Sequence, residues 1–305
     1  MNYPNLSESR RIEMLQPPQG RVRIVLDTDT YNEIDDQFAV VHAILSPKEL
    51  NLEAIYAAPF HNNRSTGPED GMEKSYDEIL RLLDFLQVKS ENFVYKGSQG
   101  FLANGETPLQ SEAASDMVER AMDGSDEPLY VVAVGAITNV ASAILIEPEI
   151  IKKIVVVWLG GNPHYWSHTR EFNLAQDIHA ARVVLDSGVP FVHLPARGVV
   201  SHLLTTVSEM ERYVQGQGKI GDYLVQIFKD YHKDHFGWSK VIWDISATAY
   251  LVNSSWVPTD IVHSPILTDT ATWSFDNSRH LMRVATSVNR DAIFRDLFQK
   301  LQQAE

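Results

Sequence analysis

Short apolar runs rich in Val, Ile and Leu recur along the first two-thirds of the chain, and each stops at a turn or polar residue. They are VRIVLD (22–27), LEAIYAA (52–58), LYVVAVG (129–135), KIVVVWLGG (153–161) and PFVHLP (190–195). Runs of this kind, apolar without alternation, predict parallel strands buried on both faces. Helical patterns separate them. Residues 33–45 put Phe38, Val41, His42 and Leu45 on one face, and helices are also predicted over 76–86, 111–122, 138–148 and 175–188. The last stops at Gly188 with Pro190 just beyond, a common helix ending. Strand–helix alternation predicts a single α/β domain, with a mostly parallel central sheet flanked by helices. Residues 200–245 are more polar, with Tyr223, Leu224, Ile227 and Tyr231 at helical spacing, and are expected to form a helical cap over one end of the sheet. An apolar helix over 243–252 and an amphipathic closing helix over 290–303 complete the pattern. Residues 1–20 read as a polar N-terminal lead-in and 21–305 as the domain proper.

In an open α/β sheet, ligands bind beyond the carboxyl ends of the strands. Four of the expected strands end in polar signals: DTDTYNEIDD (27–36), PFHNNR (59–64), GAITN (135–139) and GGN (160–162), the last followed by HYWSHTREFN (164–173). The topology gathers these distant segments on one rim. The first carries five acids within ten residues: Asp27, Asp29, Glu33, Asp35 and Asp36. Acids at a helix start are favourable, which suffices for Glu33. It does not explain Asp27 and Asp29, which continue a buried strand. Carboxylates held together raise one another's pKa and destabilise the fold unless a cation joins them.

Composition narrows the choice of cation. The chain has no cysteine, which excludes disulfides, thiolate zinc sites, iron–sulfur clusters and cysteine nucleophiles. Oxygen-rich sites suit Ca2+ or Mg2+. The formal net charge of −14 disfavours nucleic acid and anionic membrane as partners. No apolar run approaches the roughly 18 residues of a membrane span. The first twenty residues lack the apolar core of a signal peptide, so a cytoplasmic location is the expectation.

Three oxygen-rich motifs compete for the acid loop. An EF-hand counted from Asp27 requires Gly at position six and Glu at twelve, where this chain has Asn32 and Phe38. The start of a haloacid-dehalogenase-type phosphatase resembles IVLDTDTY loosely. That enzyme needs a later strand ending in acids, and Gly221-Asp222 follows a polar stretch instead. The third match spans residues 22 to 252. DTDTYNEIDDQFAVVHAIL, VAVGAITNVASAILIEPEI, WLGGN with REFNLAQDIHAA, and VIWDISATAYLV stand in the order of the motifs of the inosine–uridine-type nucleoside hydrolases. The chain resembles that family.

The resemblance implies a nucleoside hydrolase-like catalytic domain over 21–305 and a set of residue roles. Asp29, Asp36 and Asp244, with the carbonyl of Ile137 or of the adjacent Thr138, would ligate Ca2+. Asp29 would also be general base toward the attacking water. Asp35, Glu171, Asn173 and Asn162 would bind the ribose hydroxyls, with Asn62 or Asn63 assisting, and Asp27 would orient the ligands from behind. Hydrolysis of an N-glycosidic bond develops positive charge on the ribose, which buried carboxylates stabilise. The family also implies a homodimer or homotetramer.

The chain departs from the family pattern in three places. Five residues, TYNEI, separate Asp29 from Asp35 where three are usual, enlarging the acid loop. Trp243 stands where many members have the His that protonates the leaving base; it reads either as a catalytic stacker for purines or as a core Trp. The stretch between GGN and EFN is short. His164 and His168, four apart, could pair on a helix, but with His61 they read more simply as loop histidines, and Trp166 as a loop Trp. The expectation is a Ca2+-dependent ribonucleoside hydrolase releasing base and ribose, leaning toward purine nucleosides through Trp243. The rivals are a relative acting on another ribosyl compound, a non-catalytic Ca2+-dependent sugar-binding module, and the phosphatase.

Overall fold

Ile24, Val25 and Leu26 are all fully buried, although alternate residues of a strand point to opposite faces. Ile24 and Leu26 pack in one apolar cluster and Val25 in another. The sheet therefore separates two cores, which is why its strands lack polar alternation. Truncating a side chain here, as in Leu26→Ala, costs about 2–5 kcal/mol.

The computed structural model describes residues 3–303. The sheet core comprises β1 (Val22–Thr28), β2 (Leu50–Ala57), β3 (Val94–Lys96), β4 (Leu129–Ala133), β5 (Ile154–Leu159) and β6 (Phe191–Leu194). Short two-residue strands follow: β7 (Leu204–Thr205), β8 (Lys240–Val241), β10 (Ile266–Leu267) and β11 (Trp273–Ser274). Two longer strands, β9 (Thr259–His263) and β12 (Leu281–Ala285), complete the main sheet. Its order is β3-β2-β1-β4-β5-β6-β12-β9. Every pairing is parallel except β12 with β9. The order reverses between β1 and β4, and the crevice at such a switch point is where ligands bind. The expected parallel sheet is present, with an antiparallel strand added at one edge.

The helices are α1 (Glu8–Met14), α2 (Asp36–Ile44), α3 (Pro68–Phe85), α4 (Glu112–Ala121), α5 (Thr138–Ile146), α6 (Phe172–Gln176), α7 (Ile178–Ser187), α8 (Val207–Tyr213), α9 (Gly218–Tyr231), α10 (Ile245–Val252) and α11 (Arg290–Gln303). The region read as a polar lead-in contains α1. The Ser7 side chain caps it, Met14 and Leu15 enter the core, and the buried Arg11 donates to the carbonyl of Gly188. The acid-rich start expected for the helix over 33–45 is loop; α2 begins at Asp36 and is buried on every side up to Ala43. The single helix expected over 175–188 is broken at Asp177. That carboxylate accepts N–H bonds from Ala180 and Leu102 and the hydroxyl of Thr138. In the cap region, α9 buries Leu224 and Phe228, and the Tyr223 hydroxyl donates to Glu78 of α3. Among the described residues, no helix is long and apolar enough to cross a membrane.

Candidate active site

β1 ends at Thr28 and α2 starts at Asp36, so residues 29–35 form the loop between them. The loop turns tightly, the Asn32 N–H donating to the Asp29 carbonyl at 2.7 Å. It delivers the carboxylates of Asp29, Asp35 and Asp36, each at most 3% exposed. Asp244, at the N-cap of α10, brings a fourth. One oxygen from each of Asp35, Asp36 and Asp244 lies within 4.8 Å of the others. The N-termini of α2 and α10 thus meet at the cluster, and their dipoles favour negative charge there.

Asp29 lies beside Asp36, close enough for the two carboxyl groups to interact. It is wedged against Gly135, where a Cβ would come within 2.9 Å of the Asp29 Cγ; only glycine fits. The Thr28 hydroxyl donates to Asp36 at 2.5 Å, while Asp29 Oδ2 has no hydrogen-bond partner. Asp27 belongs to β1 itself: Asn139 donates to its Oδ1 at 2.8 Å, and burial pushes its pKa up to about 7.

The cluster resists ionisation. Burial, then the charges of Asp36 and Asp35, raises Asp29 well above the carboxylate range. Burial and the three neighbouring aspartates do the same to Asp244. Burial raises Asp35 to about 7, against the pull of Lys240, and Asp36 to about 6, against the Thr28 bond. Four buried carboxylates, one with an orphaned oxygen and no sulfur or imidazole among them, fit a hard divalent cation.

A cavity of about 200 Å3 opens onto the cluster. Asp35, Asp36, Asp244, Glu171, Asn173 and Trp243, all anticipated from sequence, line it. Glu171 caps α6 and accepts N–H bonds from Asn173 at 3.1 Å and Leu174 at 3.3 Å. It also accepts the N–H of Gly161 at 2.7 Å, in a turn whose φ of +68° favours glycine. Burial raises its pKa while these bonds oppose the rise. Asn173 donates to the carbonyls of Val134 and Leu159, tying α6 to the ends of β4 and β5. The Trp243 backbone N–H donates to Asp35 at 3.1 Å, and its half-buried ring packs against the core.

Other anticipated residues do not line the cavity. Ile137 is fully buried, and its carbonyl accepts the Ala141 N–H that opens α5. Val134, three residues earlier at the end of β4, lines the cavity instead. Asn62 holds the acid loop from outside, donating to Asn32 Oδ1 at 2.6 Å, and Asn63 is exposed. Asn162 is buried, its N–H donating to Thr169 and its Oδ1 lacking a partner. His164 and His168 do not share a helix; His164 stacks on His193 of β6. Trp166 packs beside Gly198. Residues that sequence reasoning missed are Asn32, Val134, Arg170 and Arg197, which line the cavity, and Lys240, which pairs with its acids. Glu33, read as a helix-start charge, lines the cavity too.

The family described as inosine-uridine preferring nucleoside hydrolase matches residues 24–295. The chain belongs to this family. The match decides between the two resemblances of DTDTY in favour of the nucleoside hydrolases. The pyrimidine-specific ribonucleoside hydrolase RihA of Enterobacter sp. (strain 638) is 28% identical over 237 residues, covering 69% of this chain and 72% of the relative. A probable uridine nucleosidase 2 of Arabidopsis thaliana is 27% identical over 242 residues, covering 70% and 71%. Among solved structures, the plant nucleoside hydrolase PpNRh1 superposes with a TM-score of 0.74 at 19% identity, over 93% of this chain and 99% of that one. The purine-preferring ribonucleoside hydrolase from Gardnerella vaginalis gives 0.72 at 21%, over 92% and 98%. These structures share the fold. As a nucleoside hydrolase, the chain is an enzyme that acts on N-glycosyl bonds.

Proposed function

We propose that this nucleoside hydrolase is a Ca2+-dependent ribonucleoside hydrolase that releases free base and ribose and prefers purine nucleosides. The observation that carries this reading is the convergence of Asp35, Asp36 and Asp244 at a cavity also lined by Glu171, Asn173 and Trp243. Asp29, Asp36 and Asp244 would hold the ion. For the backbone ligand we take Val134 in place of Ile137, because Val134 lines the cavity and Ile137 does not. Ca2+, when bound, would orient a water and lower its pKa.

The protein side chains divide the remaining work. Asp29 takes the proton of the attacking water as general base. Water oxygen bonds to the anomeric carbon as the bond from that carbon to the base nitrogen breaks; the nitrogen keeps that electron pair and takes up a proton from solvent to give the free base. Asp35, Glu171 and Asn173 engage the ribose hydroxyls, and the carboxylates stabilise the positive charge that develops on the sugar. Trp243 supplies an aromatic face for a purine leaving group. The family resemblance adds a homodimer or homotetramer, and the polar first twenty residues a cytoplasmic location, as expectations.

The test is Asp29→Asn, which keeps the volume and removes the base. Turnover of inosine should fall by roughly a thousandfold or more with the fold retained by circular dichroism. A variant with near-normal kcat would remove Asp29 from the mechanism.

A further inference from the structure

The cavity that carries the acid cluster is also lined by two arginines, Arg170 and Arg197. Both are exposed. Several other guanidinium groups grip carboxylates: Arg23 holds Glu53 and Asp123, Arg120 holds Asp116, and Arg279 holds Asp186, whereas Arg21, Arg64 and Arg283 reach neutral oxygens instead. Among the described residues, Arg170 and Arg197 have no carboxylate within 4.0 Å and donate no side-chain hydrogen bond. This is so although Glu33, Asp35, Asp36, Glu171 and Asp244 line the same cavity, in a chain with 40 acids against 26 bases.

The two arginines come from neighbouring segments of the backbone. Arg170 precedes α6 in the segment that leaves β5, and Arg197 lies in the turn that leaves β6. β5 and β6 are adjacent parallel strands, so both arginines rise from neighbouring strand ends. The loop acids Glu33, Asp35 and Asp36 follow β1 instead, Asp244 opens α10, and Glu171, next to Arg170 in the chain, is turned to the N–H groups that it caps. A neutral nucleoside offers nothing that needs two cations. A phosphate or carboxylate does, since a guanidinium fork matches its oxygens. The overall field of a protein with net charge −14 repels such a group, so a local cationic pair is needed to admit it.

We infer that the substrate is an anionic ribonucleoside, with its negative group held by Arg170 and Arg197 away from the reacting carbon. The group is a phosphate on the ribose 5′ oxygen or a carboxylate on the base. The bond cleaved is the one already described, and the anion takes no part in it. The inference rests on the proposed ribohydrolase reading and narrows its substrate class.

The experiment measures kcat/KM by sugar release for inosine, inosine 5′-monophosphate, uridine, uridine 5′-monophosphate and orotidine, which is uridine with a carboxylate on its base. The wild-type protein is compared with Arg170→Gln/Arg197→Gln, both with excess Ca2+. For one anionic arm the expected kcat/KM is at least about tenfold above its neutral parent, and the double variant brings that ratio to about one. The arm that responds identifies phosphate or carboxylate. Neutral parents that are split as well as or better than every anionic partner overturn the inference while leaving the hydrolase reading intact. If none of the five compounds is split, the ribohydrolase reading fails separately, and calorimetric titration of the same five decides. Tighter binding of an anionic member, lost in the double variant, supports the arginine site; equal binding overturns it.

Discussion

The ammonium of Lys240 lies 2.5 Å from a carboxylate oxygen of Glu33, 207 positions away in sequence. It also lies 3.8 Å from Asp35 and donates to the Val241 carbonyl. Burial pulls its pKa down, but Asp35 and Glu33 outweigh burial and keep it charged. Lys240 thus ties the enlarged acid loop to β8, beside the residues that precede Asp244. Lys240→Met should destabilise the fold by about 1–3 kcal/mol, because the loop acids lose their cation. At saturating Ca2+, kcat/KM should fall roughly tenfold to a hundredfold, with Lys240→Arg retaining more. Steady-state kinetics on the two variants check this; unchanged kinetics in Lys240→Met would make the pair purely structural.

The legible and illegible parts of the sequence follow from burial. β1, β4 and β5 are buried on both faces, so their apolar runs stand out. β12 was hidden by Arg283, a buried guanidinium that reaches the carbonyl of Leu15 and the Thr259 hydroxyl. β9 is a mostly exposed edge strand, and β3 has only three residues. Asp29, Asp36 and Asp244 were readable because acids at strand and helix ends are conspicuous. Lys240, Arg170 and Arg197 were not, because loop conformation rather than residue spacing brings them to the cavity. The cavity-lining place of Val134 was missed for the same reason: the motif marks the turn but not which of its residues line the cavity.

Trp243 lines the cavity while its backbone N–H holds Asp35. Trp243→Ala leaves that backbone bond intact and removes the ring. Losses in kcat/KM should be about tenfold greater for inosine and adenosine than for uridine and cytidine. Parallel assays of the four nucleosides check this, and equal losses would reduce the ring to packing.

Glu171 joins the Gly161 turn to the start of α6 through three N–H bonds. Glu171→Ala removes a helix cap and should cost about 1–2 kcal/mol of stability, read by urea denaturation. Glu171→Gln keeps an acceptor oxygen and should lose less stability. Its kcat should still fall roughly a hundredfold, since an amide stabilises positive charge on the sugar poorly.

His193 is buried, and its Nε2–H donates to the Gly160 carbonyl at 2.6 Å. Burial, then the neighbouring His164, lowers its pKa to about 3. The folded state therefore holds fewer protons than the unfolded chain below pH 6.5. The stability tied to neutral His193 is complete above that pH and is lost as pH falls toward 3, at up to about 1.4 kcal/mol per unit. The buried aspartates act in the opposite sense, so the difference between proteins is the useful quantity. His193→Gln should flatten the fall in stability between pH 6 and 4 by about one proton, as measured by denaturation at several pH values.

The central claim is that the acid cluster works as a cation site for splitting nucleosides. Ribose release from inosine and uridine by metal-stripped protein, before and after adding Ca2+, tests it most directly. Stripping should lower turnover by roughly a hundredfold or more, and Ca2+ should restore it. Full turnover by the stripped protein, unchanged by Ca2+, would contradict the account.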